Sequence, residues 1–253
     1  MTVQSLRVER DSHNPHVAII TLNDPDKRNA LDAAKASALE NAIIELEATR
    51  QTDQPVRVIV IRGEGPAFCA GADLSGGVYA RDFFDSLTRM LTAIARCPIP
   101  VIADVQGPAV GAGCQVVLAC DLRVFGDRGA VWVPAAQHGF ALDTWTHQRL
   151  CELVGGGHAR NIMIGAATMG VEQALATGFA SLHADPAGAV EYARTIAAQA
   201  PLSMEHSKRV LNSADASRDP SLDMLFRKAW ASEDAQEARA ARAEKRVPRF
   251  RGQ

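Results

Sequence analysis

The chain has no excess of one charge, no membrane-length apolar run and no internal repeat, and each absence removes a class of protein. Lys and Arg number 27 against 29 Asp and Glu, a net charge of −2, so nothing calls for nucleic acid or an anionic membrane surface as partner. No run approaches the ~18 apolar residues of a membrane helix, and the opening MTVQSLRVERD has no apolar secretory core. The expectation is a cytoplasmic protein, neither exported nor inserted. The five cysteines (Cys69, Cys97, Cys114, Cys120, Cys151) are odd in number, lack C-x-x-C spacing and lie in apolar stretches. They read as buried free thiols rather than disulfides or zinc ligands. A dinucleotide fingerprint would need glycine where Val116 stands, and no lysine followed by Ser or Thr closes a P-loop. The 253 residues, 47% hydrophobic and 22% charged, show no low-complexity linker, which leaves an ordinary globular chain.

What is present is concentrated in Gly107 to Phe125, GPAVGAGCQVVLACDLRVF. Small residues at Gly107, Ala109, Gly111, Ala112 and Gly113 allow a ligand to approach backbone, and a helix starting there has unpaired N–H groups in its first turn. A second small-residue stretch, Phe68 to Leu74 (FCAGADL), is its counterpart. Two peptide N–H groups converging on one oxygen would form an oxyanion hole.

Periodicity supplies the setting. Leu6 to Arg10 and Val17 to Leu22 read as a hairpin, a helix follows Asp32, and Val56 to Ile61 reads as a buried strand. A helix over Leu87 to Arg96 is stopped by Pro98 and Pro100, and strands at Val101 to Val105 and Leu122 to Phe125 flank a helix near Cys114 to Cys120. Alternating strands and helices predict an α/β protein with a largely parallel sheet and its ligand near strand C-terminal ends. From Asp143 onward the pattern is helical, including one helix over Ser221 to Arg242, and the basic tail AEKRVPRFRGQ reads as a solvated end.

Six segments in order resemble the crotonase superfamily, the enoyl-CoA hydratase and isomerase family. They are NAL at Asn29 to Leu31, FCAGADL at Phe68, the run Gly107 to Cys114, ACDLR at Ala119 to Arg123, ATMGVEQALATGFA from Ala167, and EKRVPRF. The resemblance implies a crotonase (ClpP-like) spiral of ββα units over residues 1–195 and a helical C-terminal oligomerisation region over 196–253, giving a homotrimer or dimer of trimers. It implies an acyl-CoA or enoyl-CoA ligand, with no metal and no cofactor beyond the coenzyme A thioester itself. It places the oxyanion donors on the backbone N–H of Ala70 and Ala112. Coenzyme A would lie along Lys27, Arg28 and Ala30 and along Ala70, Gly71, Ala72, Asp73 and Leu74, the two cations meeting phosphates.

Hydratases of the family use two glutamates, and neither is present. One belongs three residues after the second donor, where Gln115 stands; the other follows the proline of VWVPAAQHG, where Ala135 stands. Glutamine cannot exchange a proton near neutral pH and alanine offers nothing. Asp143 is the remaining candidate, as a base beside the acyl group, as an N-cap for the following helix, or as both. Trp132 and Trp145 would line or narrow the acyl pocket, or pack as core. His138 and His147 flank the region. The chain looks most like a mycobacterial subgroup that keeps the coenzyme A site without the glutamates. The reading is therefore an acyl-CoA-binding protein of fatty-acid metabolism, with enzymes of fatty-acid synthesis as possible partners and little hydratase activity. The alternatives are an isomerase using Asp143, a weak hydratase, and a nucleic-acid-binding relative, which the net charge does not support.

Overall fold

The computed structural model describes residues 5–73, 81–213 and 215–253. The expected hairpin is there: β1 (Leu6–Arg10) and β2 (Val17–Leu22) pair antiparallel. Next come α1 (Ala33–Ala48), β3 (Val58–Gly63), α2 (Arg81–Arg96) and β4 (Val101–Val105). The two Gly-rich stretches then lead through β5 (Pro108–Val110), α3 (Ala112–Ala119), β6 (Leu122–Phe125), β7 (Ala130–Trp132) and the one-turn α4 (Ala135–His138). The remainder is α5 (Thr144–Met163), β8 (Met169–Gly170), α6 (Val171–Ala176), β9 (Leu182–His183), α7 (Pro186–Ala197), α8 (Pro201–Leu211), α9 (Pro220–Ala231) and α10 (Glu233–Glu244).

Six strands form one sheet in the order β1-β2-β3-β4-β6-β9, parallel from β2 onward. A second sheet, β5-β7-β8, stands beside it. The chain passes from β4 to β5, back to β6, out to β7 and β8, and back to β9, which winds the α/β spiral that the resemblance implies. Period-two alternation gives the main sheet two apolar faces. Ala18, Ile20, Ile59, Ile61, Ala103 and Val105 face the large core shared with α1, α2 and α3. Val17, Ile19, Val58, Val60 and Ile102 face Ala189, Ala193 and Ala197 of α7. Small residues on α7 let it lie close on the sheet, and residues 195 and 196 both lie within this helix.

Buried cations fasten the pieces. Lys208 of α8 donates to Ile94 O and Ile99 O and pairs with Asp121 at 2.7 Å. Arg123, in the ACDLR segment, donates to Cys120 O, Asp121 O and Phe179 O, so it serves the unpaired carbonyls at the end of α3. Burial lowers its pKa to about 10. The tail is not a loose end: the Arg251 and Gly252 N–H groups donate to Asp234, and Arg246 pairs with Glu237.

Several expectations are corrected. The helix expected from Leu87 begins at Arg81, because Phe83 adds a turn to the buried row Leu87, Met90 and Ile94. The strand expected from Val56 starts at Val58, where pairing with Val17 begins. The helix over Ser221 to Arg242 is two helices, since Ser232 is extended and its Oγ caps the second by accepting from Ala235 N. Of the five thiols, Cys69, Cys97, Cys114 and Cys120 are buried but Cys151 is exposed. Burial pushes Cys69, Cys114 and Cys120 up to about 12, so these thiols are inert.

One buried carboxyl lacks a full set of partners. Asp104 of β4 is 1% exposed; its Oδ1 accepts from Gln106, while Oδ2 has no partner among the described residues. Burial raises its pKa, so the folded state holds this proton to higher pH than the unfolded chain does. Its contribution to stability is present in acid and lost as pH rises through the raised value. Asp104→Asn is therefore expected to raise the melting temperature at neutral pH, with the gain over wild type shrinking as pH falls towards about 4. Paired thermal melts across that range measure it, and a pH-independent difference would refute it.

Candidate active site

The site is built where the two small-residue stretches run side by side. Cys69 N donates to Pro108 O at 3.1 Å and Val110 N to Cys69 O at 2.9 Å, a parallel bridge between Cys69 and Ala109. Glycine makes this approach possible. A Cβ on Gly107 would lie 2.3 Å from Pro66 O, and one on Gly113 would lie 2.3 Å from Cys69 O. On the other side, Leu31 bridges Ala72, with Leu31 N donating to Gly71 O and Asp73 N to Leu31 O.

The turn from Asp24 to Leu31 is held by Asn29. Its side chain accepts from Asp24 N and donates to Glu64 O and Ala67 O. Arg28 and Asn29 both adopt left-handed backbone, which Asn tolerates well. This turn delivers the Arg28 carbonyl to Ala70, whose N–H donates to it at 2.9 Å. The expected oxyanion donor at Ala70 is thus corrected: its hydrogen is already used. Gly71, at φ +102°, then rotates the chain so that Asp73 N faces Leu31. The Ala72 N–H, between these bonds, has no partner among the described residues. Ala112 opens α3, and its N–H is likewise free among the described residues. Gly71 and Ala112 are near neighbours, a Cβ on Gly71 lying 3.8 Å from Ala112 N.

Beside these groups is a cavity of about 180 Å³. Its walls include Ala70, Gly71, Ala72 and Ala112 with Phe83, Phe84, Leu87, Val110, Val133 and Leu142. Gln115 and Ala135 line it too, so the two positions singled out in the sequence meet in one place. No carboxylate is among the described lining residues, and His138, stacked on Phe140, is the one titratable group among them.

Gln115 is 2% exposed, and its amide nitrogen donates to Asp143 Oδ2 at 3.0 Å and Thr146 Oγ1 at 2.7 Å. The network fixes the amide orientation, because Thr146 Oγ1 gives its own hydrogen to Asp143 Oδ2. Asp143 also caps α5, accepting from Thr146 N at 2.9 Å. It is a cap and a partner of Gln115 at once, and it stands behind the wall rather than in it. His147 bonds the Asp143 carbonyl.

The aromatic expectations are corrected. Trp132 is half-buried in β7, its carbonyl accepting from Gly111 N, and its neighbour Val133 lines the cavity instead. Trp145 lines a separate hollow with Asp143. Of the expected coenzyme A contacts, Ala30 is buried, and Lys27 and Arg28 are exposed on the turn. Lys27 pairs with Asp73 at 2.8 Å, which raises the lysine pKa. Leu74 lies outside the described residues. Ala72 as a free donor is not among the expectations from sequence; the alternation of N–H directions around Gly71 is where its signal would be sought.

The spiral and its facing small-residue stretches are those of the crotonase superfamily. Within it, the protein belongs to the enoyl-CoA hydratase/isomerase family, which it matches over residues 12–253. It is 42% identical over 238 residues to the "Probable enoyl-CoA hydratase echA6" of Mycobacterium tuberculosis, spanning 93% of this chain and 96% of the relative. A crystal structure of an enoyl-CoA hydratase/carnithine racemase from Magnetospirillum magneticum superposes with a TM-score of 0.87 at 26% identity, covering 100% of this chain and 97% of the other. An enoyl-CoA hydratase from Bacillus anthracis gives 0.85 at 26% identity, covering 99% and 100%.

Close backbone approach at Gly113 has a direct test. Gly113→Ala would drive Cβ into Cys69 O and separate the two stretches, so unfolding in urea is expected to show a loss of roughly 2 kcal/mol or more. A loss below about 0.5 kcal/mol would mean that the bridge yields easily.

Proposed function

We propose that the protein binds acyl-CoA thioesters, holding the thioester oxygen between the N–H groups of Ala72 and Ala112, and has little or no hydratase activity. The observation that carries this reading is the cavity wall: two free donors sit beside Gln115 and Ala135, with no carboxylate among the described lining residues. The donors suit an oxygen that carries partial negative charge. A hydratase must also activate water and move a proton, each worth about 10²- to 10⁴-fold, and neither position supplies a group able to do so. In this reading Lys27 and Arg28, exposed on the turn that leads to Leu31, meet coenzyme A phosphates, Lys27 exchanging its pairing with Asp73 for one of them. The reading extends to a cytoplasmic role in fatty-acid metabolism beside enzymes of fatty-acid synthesis. It also extends to a homotrimer or pair of trimers, which the exposed Met224, Phe226 and Trp230 of α9 support.

A second reading, double-bond isomerisation of an enoyl thioester by Asp143, has one observation in its favour. Its carboxylate lies 3.0 Å from the amide of Gln115, a single side chain behind the cavity. Against it, Asp143 is not among the described residues that line the cavity, and its three accepted hydrogen bonds hold it on α5 and Gln115.

Calorimetric titration is expected to show saturable acyl-CoA binding, and crotonyl-CoA hydration is expected to stay at background. No binding at any chain length would end the proposal. Turnover of 3-enoyl-CoA lost in Asp143→Asn would establish the second reading instead. The double replacement Gln115→Glu and Ala135→Glu is expected to raise hydration at least about tenfold. Its pH profile should be broad, because a carboxylate at position 115 would face Asp143 and a pair sharing a proton titrates in two separated steps.

A further inference from the structure

A second hollow, of about 360 Å³, opens between α2, the start of α5 and Asn212. It adjoins the cavity at Ala72 and Ala112. Along α2, Phe84 and Leu87 face the first space, and Thr88, Leu91 and Ala95 face the second. One helical face therefore passes from one to the other between Leu87 and Thr88. The opposite wall makes the same change between Leu142 and Asp143. The partition is thin: Gln115 lines the first space, Asp143 the second, and a 3.0 Å hydrogen bond joins them.

The polar groups on the second wall are largely engaged elsewhere. The Asp143 oxygens are taken by Gln115 and Thr146, and Asn212 Nδ2 donates to Ala95 O. Arg96, which is exposed, is the one charge there without a partner among the described residues. Facing an occupant are Leu91, Ala95 and the Trp145 ring, still 36% exposed, with the exposed Thr88, Thr92, Arg96 and Asp143 at its edge. An aromatic ring and aliphatic groups around a hollow larger than the first suit a hydrocarbon.

Resting on the acyl-CoA reading, we propose that the two hollows are successive compartments of one acyl channel. The ligands are then thioesters whose chains outrun the first compartment, pass Leu142 and end against Trp145. Leu142 sets the junction, and Thr88 and Trp145 set the usable length.

Titration of the full-length protein with butyryl-, octanoyl- and lauroyl-CoA tests this, in wild type and in Thr88→Trp and Thr92→Trp. Both threonines are exposed on α2, so bulky substitutions there leave its buried row intact, and thermal melts check that the variants fold. Each methylene moved into apolar surroundings tightens binding about fourfold. Wild-type affinity is therefore expected to keep rising from butyryl to lauroyl. Each tryptophan, by filling the second compartment, is expected to cut the ratio of lauroyl to butyryl affinity at least about tenfold. Ratios unchanged in both variants, or a wild-type rise that ends at octanoyl, would overturn the two-compartment channel while leaving acyl-CoA binding standing. Absence of binding at every length would remove the acyl-CoA reading, and the channel with it.

Discussion

The parallel bridge between Cys69 and Ala109 is the contact on which the site depends. It is made by two backbone hydrogen bonds, and they form only because glycine occupies Gly107 and Gly113, where any Cβ would press on carbonyl oxygens. Once the two stretches are locked together, every N–H in them must find a partner or face a cavity. Ala70 gives its hydrogen to Arg28 O, Asp73 to Leu31 O and Gly111 to Trp132 O. The N–H groups left over include, among the described residues, those of Ala72 and Ala112, both beside the hollow. The free donors of the place are thus a remainder of backbone pairing. Side chains contribute by being small.

The turn around Asn29 extends the same logic one layer outward. Its amide holds Asp24, Glu64 and Ala67 together, which fixes where Arg28 presents its carbonyl, and that carbonyl decides that Ala70 cannot be a donor. Three segments far apart in sequence therefore share one hydrogen-bond network. The NAL, FCAGADL and GPAVGAGC segments are pieces of a single object.

That unity explains which parts are legible in the sequence. β2, β4 and β6 are found at their expected bounds because aliphatic residues alternate between two buried faces, and the mostly exposed β1 follows as the hairpin partner of β2. The positions of Gln115 and Ala135 follow from spacing within one helix and one short segment. The choice of Ala72 over Ala70 does not, because it depends on which peptide faces Leu31 after the positive φ of Gly71, a matter of three-dimensional direction. The short β5, β7, β8 and β9, of two or three residues each, carry too little pattern to be read. Which hollow Trp145 lines is hidden for a similar reason: Asp143 turns the chain at the α5 cap, so Leu142 and Trp145 line different hollows.

Gln115 lines the cavity and is at the same time held by structural hydrogen bonds behind it. A carboxylate there would confront Asp143 Oδ2 at hydrogen-bond distance, and two like charges so close cannot both ionise. The amide removes that conflict by offering a donor, and it completes a triangle in which Thr146 and Gln115 both give hydrogens to the same carboxylate oxygen. The same exchange engages both groups: the amide nitrogen is committed, and the carboxylate accepts from its cap and its neighbour. A wall built this way is rigid, neutral towards the cavity and apolar next to it at Ala135 and Leu142. Such a wall offers no proton carrier among the described residues other than His138, which is the physical ground for proposing binding ahead of turnover.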